Sequence, residues 1–176
     1  MPRKIVLTGG PGTGKSTIID ELSKRNFRCM PEISRQVTLK AQSEGINQLF
    51  LADPIRFSEL LLKGRLEQFQ VAEDLLDNPI FFDRGLPDIS AYLDFLGIDY
   101  PEPITNTIEA HPYELVFILP PWKDIYTDDN ERYENYSQAE KIHHFLFETY
   151  SKLGYDLVEV PKDTVISRVD FILKNI

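Results

Sequence analysis

The chain has 176 residues, 42% hydrophobic and 27% charged, a balance that suits one folded domain around a single sizeable core. Its net charge of −9 argues against a general nucleic-acid partner, because neutralising a phosphate backbone requires a basic surface. One cysteine, Cys29, excludes an intrachain disulfide, and no apolar run approaches the ~20 residues needed to span a bilayer, so a cytoplasmic chain with no membrane-spanning segment is expected.

Ile5 to Leu7 form a short apolar run of the kind that is buried on both faces of a sheet. A glycine loop follows, then a helical pattern from Lys15 to about Arg25 with Ile18, Ile19 and Leu22 on one side. Phe27 to Met30 reads as a second strand, and Glu32 to about Ser43 as a helix. Gly45 to Ala52 reads as a connection. Asp53-Pro54 then caps a long helix reaching about Leu76, and Asn78-Pro79 breaks it.

Ile80 to Asp83 is the third expected strand, followed by a helix from Pro87 to Leu96 that Gly97 ends. The proline-rich stretch from Asp99 to Pro112 reads as irregular, with a short helix near Asn106. Leu115 to Leu119 is the fourth strand. A polar, acidic segment of about residues 125–136 follows, then a helix whose start is assigned to a capping box of Ser137 and Glu140. Leu157 to Val160 is the fifth strand, and a final helix carries Val165, Val169, Phe171 and Ile172. Strands alternating with helices predict an α/β domain, spanning residues 1–176, with a parallel sheet covered on both faces.

Gly9-Gly10-Pro11-Gly12-Thr13-Gly14-Lys15-Ser16 matches G-x-x-x-x-G-K-[ST] between an apolar strand and a helix, the setting of a P-loop. The glycines let the backbone wrap a phosphate and turn successive N–H groups inward. Lys15 is expected at the β- and γ-phosphates, Ser16 on Mg²⁺ and Thr17 at the α-phosphate. The loop specifies a nucleoside triphosphate, ATP or GTP, but not its base.

Such a site needs an acid at the end of a neighbouring strand to hold Mg²⁺, and Asp83 occupies that place. The next residue is Arg84, not the glutamate that motor ATPases use to activate water. An arginine there suits stabilisation of charge on a transferring phosphoryl group, although a plain ion pair with Asp83 would leave the same pattern. Glu32 follows the second strand, at the sheet edge where open α/β folds bind ligands, and is a candidate base for an acceptor hydroxyl. Asp83 is the other candidate base. Arg35, one helical turn on, is expected to face the same pocket, and Arg65 and Gln68 are further candidate acceptor-binding residues. Arg132, the only basic residue between Lys123 and Lys141, is the candidate arginine of a lid closing over the phosphates. Adjacent helical residues such as His143 and His144 do not share a face, which argues against a two-histidine metal site.

The set GGPGTGKST, PEISR, FFDRGLPDISAY, VFILPPW, DDNERYE and EVPKDTVISRVDFIL resembles the small NadR/Ttd-like AAA-type ATPase family across essentially the whole chain. That family is similar to nucleoside and nucleotide kinases. The resemblance implies a P-loop NTPase three-layer sandwich with a five-stranded parallel sheet in the order 2-3-1-4-5, Asp83 as a magnesium or base residue, and Arg132 in a lid. An Asp-Glu pair at the third strand and an Asn-Lys-x-Asp guanine signature are both missing.

These readings lead to Mg²⁺-dependent phosphoryl transfer from a nucleoside triphosphate to a small nucleoside- or nucleotide-like acceptor. The alternative is a nucleotide-dependent binding or regulatory module with slow hydrolysis.

Overall fold

The computed structural model describes residues 2–126 and 135–176. Three short apolar runs become its central strands: β1 (Lys4–Gly9), β3 (Ile80–Asp83) and β4 (Leu115–Leu119), in which nearly every residue is buried. The edge strands β2 (Arg28–Met30) and β5 (Leu157–Glu159) are three residues each and partly exposed. All neighbours run parallel, in the order β2-β3-β1-β4-β5, with Ile5 opposite both Phe81 and Leu115.

Alternation along the strands divides the core in two. Ile5, Leu7, Phe81, Phe117 and Leu119 pack against α1 (Lys15–Lys24) and α8 (Val165–Lys174). Val6, Ile80, Phe82, Val116 and Ile118 face the other cluster, built from α4 (Pro54–Glu73), α5 (Pro87–Leu96), α6 (Glu102–Ala110) and α7 (Tyr136–Lys152). Phe81 and Phe82 thus feed opposite layers, each contributing about 1.5–3 kcal/mol by burial. The result is a three-layer α/β sandwich with the expected strand order. Among the described residues no helix is long and apolar enough to cross a membrane.

Helix boundaries follow the sequence signals at two points. Asp53 accepts from Arg56 N–H (3.0 Å) with Pro54 in the first turn of α4, and Gly97 ends α5 in the left-handed region at φ 67°.

Three local expectations need correction. The proline-rich stretch is a full nine-residue helix, α6, because Pro101 and Pro103 stand at its start, where backbone N–H groups have no helical partner to lose. Ile104 and Ile108, one turn apart, anchor it in the core. The connection after Gly45 contains a short helix, α3 (Leu49–Ala52), held by buried Leu49. The capping box of α7 is Asn135 with Gln138, not Ser137 with Glu140: Asn135 Oδ1 accepts from Gln138 N–H (3.0 Å) and Gln138 Oε1 from Asn135 N–H (2.8 Å). α2 (Ser34–Ser43) and α3 pack on α4.

Because the strands are parallel, the ends of β1, β2 and β3 reach one edge of the sheet together. The glycine loop, Glu32 and Asp83-Arg84 follow those three ends and so become neighbours.

Candidate active site

The loop from β1 to α1 is built to receive an anion. The start of α1 has no side-chain cap and no acidic residue in its first turn, so its leading N–H groups are left for a ligand. Gly14 lies in the left-handed region at φ 79°, where a Cβ would stand 2.9 Å from Arg168 Nη1. Thr13 and Thr17 turn their hydroxyls onto the loop's own backbone, donating to the Gly10 and Gly14 carbonyls at 3.0 and 2.7 Å.

Lys15 is buried and ion-paired with Asp83 at the end of β3. Burial pushes the Lys15 ammonium below its ordinary value and nearby Arg84 adds to this, while Asp83 and Glu32 pull the other way. Among the described residues no cluster of three acidic, histidine or cysteine side chains forms a ready metal cage. The hard oxygens of Ser16 and Asp83 nevertheless suit Mg²⁺, which keeps waters and takes substrate phosphates as ligands instead of using an all-protein cage.

Arg84 adopts φ 73°, a left-handed conformation uncommon for a side chain of its size, with its N–H donating to Leu7 O at 3.0 Å. The turn brings its guanidinium between two carboxylates, with Nε 2.6 Å from Glu32 Oε2 and Nη1 3.2 Å from Asp88 Oδ1. Burial alone would lower its pKa, but Tyr92, Glu32 and Asp88 together hold it well above the ordinary arginine value. Glu32 also accepts from Arg65 Nη2 and from Ser34 N–H, both at 3.1 Å. Burial would raise the Glu32 pKa, yet Arg65, Arg84 and Lys15 win and bring it down to about 2. Arg65, 3% exposed, spends its other terminal nitrogen on Gly85 O at 2.9 Å.

Beside this cluster lies a cavity of about 510 Å³ between α2, α3, α4 and α5. Arg65 and Arg84 line it. Arg35 does not: it is exposed on α2, and Ser34 and Thr38 are the residues of that helix that reach the cavity. Gln68 is also outside, clipping the end of β2 by donating to Pro31 O at 2.8 Å. The structure therefore gathers Lys15, Asp83, Arg84, Glu32 and Arg65, and leaves out Arg35 and Gln68. Arg132 lies outside the described residues.

Two residues that sequence reading passed over hold this arrangement. Asp88 is 1% exposed and accepts from Thr8 Oγ1 (2.7 Å), Gly85 N–H (2.9 Å) and Tyr150 Oη (2.6 Å) besides Arg84. The available signal was its place one helical turn after Arg84, behind Pro87. Arg168 on α8 is 2% exposed, donates to Thr13 O at 3.0 Å and lies 5.7 Å from the Trp122 ring. Its Nε and Nη2 have no hydrogen-bond partner among the described residues. Nothing in the local sequence pattern distinguishes it from a surface arginine.

Residues 4–168 match the model of a family described as an AAA domain. The chain belongs to that family. It is a small P-loop NTPase that resembles nucleoside and nucleotide kinases. Among solved structures, a deoxyadenosine kinase from M. mycoides with the products dCMP and dCDP is similar at TM-score 0.69 and 18% identity, covering 98% of this chain and 97% of that one. A thymidylate kinase from Candida albicans is similar at TM-score 0.67 and 19% identity, over 99% and 90%. A NadR protein in complex with NR reaches TM-score 0.74 at 15% identity, and there the chain spans about half the relative, 98% against 49%. At these identities the likeness is one of fold. No curated protein sequence matches the chain.

Proposed function

We propose that the protein transfers the γ-phosphate of a Mg²⁺-bound nucleoside triphosphate to a hydroxyl of a small, nucleoside-like acceptor held in the cavity beside Arg84. The observation that carries this reading is Arg84 itself, turned by its left-handed backbone and fixed between Glu32 and Asp88 at the junction of cavity and phosphate loop. A water-activating glutamate at that position would favour hydrolysis; a fixed guanidinium favours a phosphoryl group in transit. Similar folds in a deoxyadenosine kinase and a thymidylate kinase support the same class of chemistry.

In this reading residues 9–17 wrap the triphosphate, and Lys15 leaves Asp83 for the β- and γ-phosphates. Ser16 and Asp83 would hold Mg²⁺, which supplies charge neutralisation between the phosphates. The acceptor oxygen forms a bond to the γ-phosphorus as the β–γ bridging bond breaks, and the nucleoside diphosphate leaves with that electron pair. Arg84 meets the equatorial charge, and Arg132 supplies a second cation from the lid. Glu32 takes the acceptor proton. A carboxylate held at about 2 is a weak base, so it chiefly orients the hydroxyl, and its proton arrives late, as a loose transition state allows.

The test is nucleoside-diphosphate release with Mg²⁺·ATP or Mg²⁺·GTP across a panel of nucleosides, nucleotides and sugars. At least one acceptor should raise turnover above the hydrolytic background. Arg84→Gln should remove about 10²-fold or more of that stimulated rate while nucleotide affinity stays within about threefold. A panel with no stimulating member sinks the kinase reading in favour of a nucleotide-dependent binding module.

A further inference from the structure

We infer that the acceptor is an electrically neutral alcohol with a largely apolar body, and not a phosphomonoester. This rests on the phosphoryl-transfer reading and specifies what that site accepts.

Two features of the cavity carry it. The first is charge balance at the reacting end. Arg65 and Arg84 are the cations lining the cavity among the described residues, and each already faces a carboxylate, although Arg65 Nε has no hydrogen-bond partner among those residues. Arg84 lies against Glu32 and Asp88, and Arg65 against Glu32 and the Gly85 carbonyl. Glu32 is held charged by the arginines around it, so two positive and two negative groups stand together. A phosphate already on the acceptor would bring up to two further negative charges into a buried setting where each lining cation among the described residues already faces a carboxylate.

The second feature is the rest of the cavity lining. Besides Arg65, Arg84 and Asp88, it is mostly apolar, with Phe57, Leu61, Ile89, Leu93 and Phe95 among it, and the remaining polar lining consists of uncharged hydroxyl and amide groups such as Ser34, Thr38 and Gln138. A volume of about 510 Å³ accommodates one drug-sized molecule. An aromatic or aliphatic body gains by burial against these side chains, whereas the hydrogen-bonding edge of a polar base leaves donors and acceptors facing carbon. Discrimination in an apolar pocket of this kind amounts to roughly tenfold to a hundredfold.

Three probes separate the possibilities: phenyl β-D-ribofuranoside, uridine and uridine 5′-monophosphate. Each is titrated calorimetrically into the full chain loaded with Mg²⁺ and the β,γ-imido analogue of ATP, and each is assayed in parallel for ADP release with Mg²⁺·ATP. The phenyl riboside should bind about tenfold or more tighter than uridine, and uridine about tenfold or more tighter than its monophosphate. Phe57→Ala should weaken the riboside at least fivefold while the affinity for the ATP analogue, which reports on folding, is unchanged. The inference is overturned if the monophosphate binds as well as uridine, if uridine binds better than the riboside, if none of the three binds, or if Phe57→Ala leaves riboside affinity intact. Riboside binding without ADP release would uphold the ligand class and sink phosphoryl transfer. ADP release driven by the monophosphate alone would do the reverse.

Discussion

Asp88 receives four hydrogen bonds on two oxygens, from Thr8 and Arg84 on one and from Gly85 and Tyr150 on the other. An asparagine cannot reproduce this. Whichever way the amide turns, its NH₂ confronts an N–H donor, Gly85 on one side or Arg84 on the other. Asp88→Asn should therefore cost about 2–3 kcal/mol, read as a lower urea midpoint at unchanged m-value. Burial, and then the Asp88 charge, hold the Tyr150 hydroxyl well above its ordinary pKa, so Tyr150 stays a donor across the working range. Arg84 was legible in the sequence because an arginine directly after a strand-end acid is a chemical anomaly. Asp88 was not, because an acid in the first turn of a helix already has an ordinary explanation in the helix dipole. Its partners stand at positions 8, 84, 85 and 150, and only two of the four are near in sequence.

At the scale of elements, α7 connects the two halves of the site. Near its start, Ala139 O lies so close to Gly10 that a Cβ on that glycine would stand 3.0 Å away, and Gln138 reaches the cavity. Near its end, Tyr150 grips Asp88. Where the helix begins therefore matters, and two candidate caps make opposite forecasts. Asn135→Ala should destabilise the protein by about 1 kcal/mol, whereas Ser137→Ala should change it by no more than about 0.5 kcal/mol, both read by chemical denaturation. The serine reading went astray because S-x-x-E and N-x-x-Q boxes are offset here by two residues, and pattern alone does not rank them. α6 teaches a related lesson: prolines mark a break when they stand inside a helix and a beginning when they stand in its first turn, and only the packing of Ile104 and Ile108 decides which.

For the whole molecule, the sheet was the most legible feature. Buried parallel strands need nearly continuous apolar runs, and Ile80–Asp83 and Leu115–Leu119 could be bounded to the residue. Strand order came from the family resemblance, since alternation of strand and helix does not by itself choose among parallel orders. The charged cluster also gives the fold an acid limit. Glu32 is held at about 2 against an ordinary 4.5, so its contribution to stability is fully present above pH 4.5 and is lost as the pH falls towards 2. That shift corresponds to about 3 kcal/mol. Urea midpoints measured from pH 6 down to pH 2.5 should fall through this window, and Glu32→Gln, less stable at neutral pH, should flatten the fall by about that amount. The pairing of Lys15 with Asp83 has a different consequence for the proposed site. A free metal ion must displace an ammonium from the carboxylate, and a metal-free triphosphate must draw that ammonium away and strand the carboxylate next to its own negative charge. Each ligand removes the other's obstacle. In the proposed site metal and nucleotide would thereby be heterotropic effectors of one another, and whatever factor one adds to the affinity of the second, the second would return to the first.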